Sequence, residues 1–224
     1  MRYPEDPRRA RRGPLWLHPD DDLAPNRPGE TLLGELAARP AGRLRRLADR
    51  VLLRAGETDE LRSALAAEQR AGELLDGLSG FGWRVLHSIP LPGACLSHLA
   101  IGPGGVFAVR SRRYRGARIR AGFDGTDLVS INGRRTEPEL RRCRQDAERA
   151  GHALGRAGGS RVAVTPLLVF VDAGSLTVAP GLCEVEVMSE RELPGLAGRG
   201  GVLKPEEVEF HYGLARDRRT WRRL

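Results

Sequence analysis

The stretch GWRVLHSIPLPGACLSHLAIGPGGVFAVRSRRYRG, from Gly82 to Gly116, decides the fold. Arg84 to Ile89 is an apolar run, Leu96 to Ile101 predicts a second short strand, and Val106 to Arg112 predicts a third that begins apolar and ends charged. Between the last two, Gly102-Pro103-Gly104-Gly105 supplies a turn, because glycine reaches positive φ and proline fixes φ near −65°. Side chains alternate faces along a strand. Val106, Ala108, Arg110 and Arg112 therefore share one face, and Phe107, Val109 and Ser111 share the other. Two cations at the end of one face of a central strand are costly unless paired or wet.

Outward from this stretch, the chain divides into four parts. Residues 1–29 are rich in Arg, Asp and Pro without periodicity and read as a flexible tail, with Arg8, Arg9, Arg11 and Arg12 available to phosphate and Pro14 to Leu17 apolar enough to dock. Residues 30–57 read as an amphipathic helical extension: Leu32, Leu33 and Leu36, a break near Pro40, then Leu44, Leu47, Val51 and Leu52. Residues 58–189 form the main domain. Thr58 is an expected N-cap for a helix to about Leu78, whose apolar stripe is Leu61, Ala64, Leu65, Ala71, Gly72, Leu75 and Leu78. Glu68 falls on that stripe, where a carboxylate must be hydrogen-bonded, paired or protonated.

After the central stretch come short strands at 117–123 and 127–131, an Asp124-Gly125 turn, and the tight-turn pair Asn132-Gly133, which together predict an antiparallel meander. Glu137 to Leu154 is helical, with Leu140, Cys143, Ala147 and Leu154 inward. VAVTPLLVFV, Val162 to Val171, is almost wholly apolar, as a buried parallel strand is. Glu184 to Met188 is a further short strand, and residues 190–224 form a C-terminal helical, basic segment whose helix runs from Lys204 to about Arg216. The expected class is α/β: a mixed sheet, antiparallel meander plus buried parallel strand, flanked by helices, with an N-terminal helical extension.

The 224 residues suffice for one domain with a real core plus an extension, and a charged fraction of 29% fits a soluble globular chain. No apolar run approaches a bilayer span, and no secretory leader is legible. Cys95, Cys143 and Cys183 are odd in number and far apart, which argues against a disulfide framework or zinc site and points to a reducing, cytoplasmic setting. The net charge of +8 suits a nucleic-acid or anionic partner, but clustering says more than the total, since Lys204 is the only lysine. From Arg110 to Arg120, six of eleven residues are arginine and none is acidic.

The segment SHLAIGPGGVFAVRSRRYRG resembles the nuclease-related domain family (NERD), whose fold is similar to that of restriction endonucleases. The family pattern is an Asp-His-Leu-like strand, Ile-Gly-Pro-Gly-Gly-Val-Phe, a strand ending acidic-x-Lys, then an aromatic residue and Gly. The resemblance implies that the family's aspartate falls on Ser97, its acidic residue on Arg110 and its lysine on Arg112. A glutamate on the preceding helix falls on Glu68 and a glutamine on the following helix on Gln145, both present. The family implies Mg²⁺, a hard cation that takes oxygen ligands, mostly carboxylates. Here one carboxylate remains beside two guanidinium groups, and a unit-charge repulsion at about 4 Å is roughly 4 kcal/mol at an effective dielectric near 20. The sequence thus describes a divergent member with a degenerate site and no metal ligand set, in which Arg110 or Arg112 replaces the ion as partner of Glu68.

The first functional expectation is a catalytically inactive nuclease-like protein that binds DNA or RNA through Arg110, Arg112, Arg113, Tyr114, Arg115, Arg118 and Arg120. A second is a protein-interaction scaffold that uses the N-terminal extension and basic ends. A third is an active metal-dependent nuclease with relocated residues, drawn from Asp124, Asp127, Glu137, Glu139, Asp146, Glu148, His87 and His98. The oligomeric state is not legible in the sequence.

Overall fold

A computed structural model describes residues 17–38, 55–123 and 128–222. The expectations for Arg8 to Arg12, for the second half of the N-terminal helix, for the Asp124-Gly125 turn and for Asp127 lie outside the described residues. Helices are α1 (Glu30–Ala38), α2 (Ala55–Asp76), α3 (Glu139–Gly158) and α4 (Pro205–Ala215). Strands are β1 (Arg84–Leu91), β2 (Ala94–Gly102), β3 (Gly105–Arg113), β4 (Arg118–Ala121), β5 (Val129–Ile131), β6 (Arg135–Glu137), β7 (Val164–Val171), β8 (Ser175–Val178) and β9 (Glu186–Ser189). Among the described residues no helix is long and apolar enough to cross a membrane.

The central five-stranded sheet has the order β1-β2-β3-β7-β9. β1, β2 and β3 are an antiparallel meander, and β7 and β9 add in parallel. The β2–β3 hairpin closes at the pair Gly102↔Gly105 around Pro103-Gly104, with Gly105 at φ 121. Glycine is needed at 102 for a second reason: the Trp83 ring lies on its backbone, and a Cβ there would come within 2.1 Å of it.

The two faces of this sheet carry separate cores. Val106 and Ala108 pack with Ala147, Ala150, Ala153 and Leu154 of α3, and with Val208, Ala215 and Trp221 toward the C-terminus. Phe107 and Val109 pack with Ala71 and Leu75 of α2, Trp83 and Leu193. The alternation read from the sequence is therefore realised, with α3 on the Val106 face and α2 on the Phe107 face.

The strands between Arg118 and Glu137 form a second sheet, order β6-β5-β4-β8, which the sequence did not separate from the first. β8 joins β4 in parallel by a long-range pairing that no local pattern signals. Ile119, Ala121, Val129 and Ile131 turn inward against Leu140 and Cys143 of α3 and Leu168 and Phe170 of β7.

Residues 17–29, read as tail, are packed against the domain. Leu23 is fully buried with Trp221 and Ala215, Asp22 forms a two-pronged ion pair with Arg216, and the Leu23 amide donates to the Arg216 carbonyl at 2.8 Å. Ser88, at φ 48, anchors the entry to α1: its Oγ donates to the Arg27 carbonyl and accepts from the Glu30 amide, and its carbonyl accepts from Asn26 Nδ2. Composition gave no period here because the contacts are individual rather than those of a regular element. Thr58 lies inside α2 rather than capping it, since the helix begins at Ala55.

Candidate functional site

α2, β2, β3 and α3 converge where β3 turns from apolar to charged. Glu68 of α2 accepts a 2.7 Å hydrogen bond from Ser97 Oγ of β2. Its second oxygen, Oε2, is buried without a hydrogen-bond partner. Burial raises the Glu68 pKa, against the Ser97 hydrogen bond and the fields of Arg110 and Arg112, and the nearby charge of Glu35 on α1 adds to the rise.

Neither arginine pairs with Glu68, and that expectation is corrected here. Arg110 donates from Nε and Nη2 to Asp146 Oδ2 at 2.9 and 2.6 Å, and its Nη1 lies 4.0 Å from Glu139 Oε2. Arg112 Nε is in ion contact with Glu139 Oε2 at 2.9 Å, its N–H not aimed along a hydrogen-bond direction. Arg142 donates to the other Glu139 oxygen at 2.8 Å. Asp146 and Glu139 of α3 take the two guanidiniums, while Glu68 of α2 is engaged by Ser97 and feels Arg110 and Arg112 only through their fields. Glu139 and Asp146 are 1% and 4% exposed, so both carboxylates are sealed in. Burial pushes Glu139 up, but the Arg112, Arg110 and Arg142 guanidiniums outweigh it and hold the carboxyl below its ordinary value. For Asp146 burial prevails over Arg110 and the pKa rises. Gln145 is exposed on the outer side of α3, one residue from the inward Asp146.

A second polar chain runs into the α2 face. His87 Nε2 meets Asp76 Oδ1 at 2.9 Å, and His87 Nδ1 meets His98 Nδ1 at 2.8 Å. A proton on His87 Nε2 and one on His98 Nδ1 satisfies both contacts with neutral rings. His98 Nε2 is then a bare lone pair in the core, with no partner. Burial, then the neighbouring imidazole of His87, lowers the His98 pKa well below its ordinary value. Burial likewise pushes the Cys95 thiol up to about 11 and Cys143 to about 12, so neither is a ready nucleophile. Cys183 is exposed. Among the described residues no group of three or more His, Cys, Asp or Glu side chains is placed to hold a metal ion.

The arginine run separates into two parts. Arg113 is 2.6 Å from Asp172 through Nε and Nη2, and Arg115, far more exposed, is 3.9 Å from the same oxygen. Tyr114 packs its ring 6.2 Å from that of Phe170. Arg118 and Arg120 stand on the outward face of the second sheet. The register sets Ser175 beside Arg118, and both Thr177 and Ser130 beside Arg120. The Arg120 guanidinium lies 4.2 Å from the Phe123 ring centroid. No ion pair to a carboxylate is found for Arg118 or Arg120 among the described residues.

Of the remaining acids weighed for relocated chemistry, Glu137 lies on β6 and Glu148 on the exposed side of α3. The partners Glu139 and Asp146 were visible only as nearby acids. Their seven-residue spacing puts both on one helix face, the signal that could have matched them to Arg110 and Arg112.

The model of the nuclease-related domain family matches residues 63–171. That span runs from within α2 to the end of β7 and holds Glu68, Ser97, Arg110, Arg112, Glu139 and Asp146. No curated protein and no solved structure matches.

Proposed function

We propose, from the premise that residues 63–171 are a nuclease-related domain on a mixed sheet that fits the restriction-endonuclease-like fold, that this protein binds nucleic acid without metal-dependent hydrolysis. One observation carries the reading: the guanidiniums of Arg110 and Arg112 stand at the end of β3 and neutralise Asp146 and Glu139. Mg²⁺ does not fit this set. It needs anionic oxygens that are free, and here two of the three carboxylates are already paired with cations while Glu68 is pushed toward its neutral form.

Support for binding comes from the outward face of the second sheet, where Arg118 and Arg120 are exposed among Ser130, Ser175 and Thr177. Arginines with hydroxyl neighbours contact phosphate oxygens and carry little base information. Arg115 is exposed as well, whereas Arg110, Arg112 and Arg113 are engaged by Asp146, Glu139 and Asp172. Binding is therefore weakly sequence-dependent and falls with salt.

The test is fluorescence anisotropy of labelled DNA and RNA across a salt series. The double variant Arg118→Gln/Arg120→Gln is expected to reduce the salt slope by about 2, roughly one per lost phosphate contact. Absence of salt-sensitive binding at low ionic strength sinks the proposal. A second reading, a nuclease with relocated acids, is favoured only by a shared neighbour: the field of Arg110 reaches Glu68 as well as Glu139 and Asp146. Mg²⁺- or Mn²⁺-dependent strand scission lost in Glu68→Gln would establish it instead.

A further inference from the structure

Residues 17–29 and α1 are held to the domain in different ways. The first stretch is fastened by Leu23 in the core, by the Asp22–Arg216 ion pair and by the hydrogen bonds of Ser88. At Gly29 the chain turns with φ 75, so close to α2 that a Cβ there would meet Leu65 Cδ1 at 2.4 Å and Glu68 Cβ at 3.8 Å. Beyond it α1 lies against α2 and β1 without a buried residue of its own. Leu32 and Leu36, four apart on one face, are half-buried; every other residue of the helix is exposed, Leu33 among them. Thr31 Oγ, 3.3 Å from Cys95 Sγ, ties the helix to β2. Gly34 stands in mid-helix, where glycine weakens the helix, and no described atom lies within 4 Å of a Cβ added there, so no close approach requires it.

The groups beside this thinly held helix are shut off from water. Glu68 Oε2 is buried without a partner. Burial pushes the Cys95 thiol up to about 11, and the negative charge of Glu35 adds to the rise. From the packing we infer that α1 is a lid, hinged at Gly29, that covers Glu68 and Cys95 and opens while the rest of the domain stays folded. A segment with little buried apolar surface opens at a lower free energy than the core it rests on. Leu23 and Ser88 fix the chain before the hinge, so opening moves the helix and leaves residues 17–29 in place. Glu68 Oε2 meets water and solutes through the open form, and the helix thereby sets when this end of the site is accessible. The lid does not depend on nucleic-acid binding.

The test is native-state labelling of the full chain with N-ethylmaleimide, the three cysteines being read separately by peptide mass spectrometry. Cys183 is exposed, Cys143 is fully buried between α3 and the second sheet, and Cys95 touches the lid through Thr31. Cys95 should label more slowly than Cys183 and at least roughly tenfold faster than Cys143, which waits for global unfolding. Gly34→Ala, which stiffens the helix, should slow Cys95 by about two- to fivefold. Leu32→Ala with Leu36→Ala should speed it roughly tenfold, and in both variants the Cys143 rate should stay unchanged. The inference is overturned if Cys95 labels at the Cys143 rate, so that α1 opens only with the whole fold. It is overturned equally if Cys95 labels as fast as Cys183, so that nothing covers it, or if Gly34→Ala leaves the Cys95 rate unaltered. The unaltered chain and Gly34→Ala decide the matter even where the double leucine variant is unstable.

Discussion

Replacing Asp146 with Leu tests the charge pairing at the end of β3 most directly. The side chain is 6% exposed and receives two hydrogen bonds from Arg110, whose own side chain is 19% exposed. Removing one partner of such a pair leaves an uncompensated buried charge, and that costs about 3–5 kcal/mol. Glu139 Oε2, 4.0 Å from Arg110 Nη1, remains as a weaker partner and places the expected loss at the lower end, about 3 kcal/mol. For a chain of this size that lowers Tm by roughly 6–12 °C. Arg110→Met together with Asp146→Leu removes both charges, and an apolar replacement of a buried pair is near neutral, so the double variant should lie within about 1 kcal/mol of the parent. Urea unfolding followed by far-ultraviolet circular dichroism gives all four corners of the cycle. If Asp146→Leu costs less than about 1 kcal/mol, or if the two single losses simply add, the pair is not the buried, mutually dependent unit described here.

Two further outcomes follow from the packing. His98 is neutral in the fold and its pKa lies below the ordinary value, so as pH falls the unfolded chain takes up a proton that the folded chain refuses. Stability from this group is full above about pH 6.5 and declines below it by up to roughly 1.4 kcal/mol per pH unit until the folded value is reached. Urea midpoints between pH 7.5 and 5.5 measure it, and a slope that persists in His98→Leu assigns the effect elsewhere. Gly102→Ala places a Cβ within 2.1 Å of the Trp83 ring and should cost about 1–3 kcal/mol with an altered near-ultraviolet signal from the displaced indole. A neutral Gly102→Ala would mean that Trp83 is loosely held.

What the sequence revealed depends on how local each signal was. The β1–β2–β3 meander was legible from Gly82 to Gly116 because alternation and a Gly-Pro-Gly-Gly turn are local. α3 was legible because Leu140, Cys143, Ala147 and Leu154 keep a helical period. Glu68 was legible as a carboxylate on the apolar stripe of its helix that needs a hydrogen bond, and Ser97 supplies one. The partner of the arginines was not, because choosing between α2 and α3 requires knowing which helix covers which face, a tertiary fact. The second sheet escaped for the same reason: β4 and β8 are four-residue strands whose pairing spans more than fifty residues. There the Gly174 backbone approaches Gly116 so closely that a Cβ at 174 would sit 2.6 Å from the Gly116 carbonyl oxygen.

The clasp between Asp22 and Arg216 joins residues 194 positions apart. Closing so large a ring is only weakly dependent on its length thermodynamically, but during translation it imposes an order of events. Leu23 is made well before its resting place among Val208, Ala215 and Trp221, which does not exist until residues nearly two hundred positions further on have left the ribosome. For that interval a nascent chain carries an unburied leucine and an unmatched aspartate, and only the arrival of the segment from Val208 to Trp221 can shut the domain.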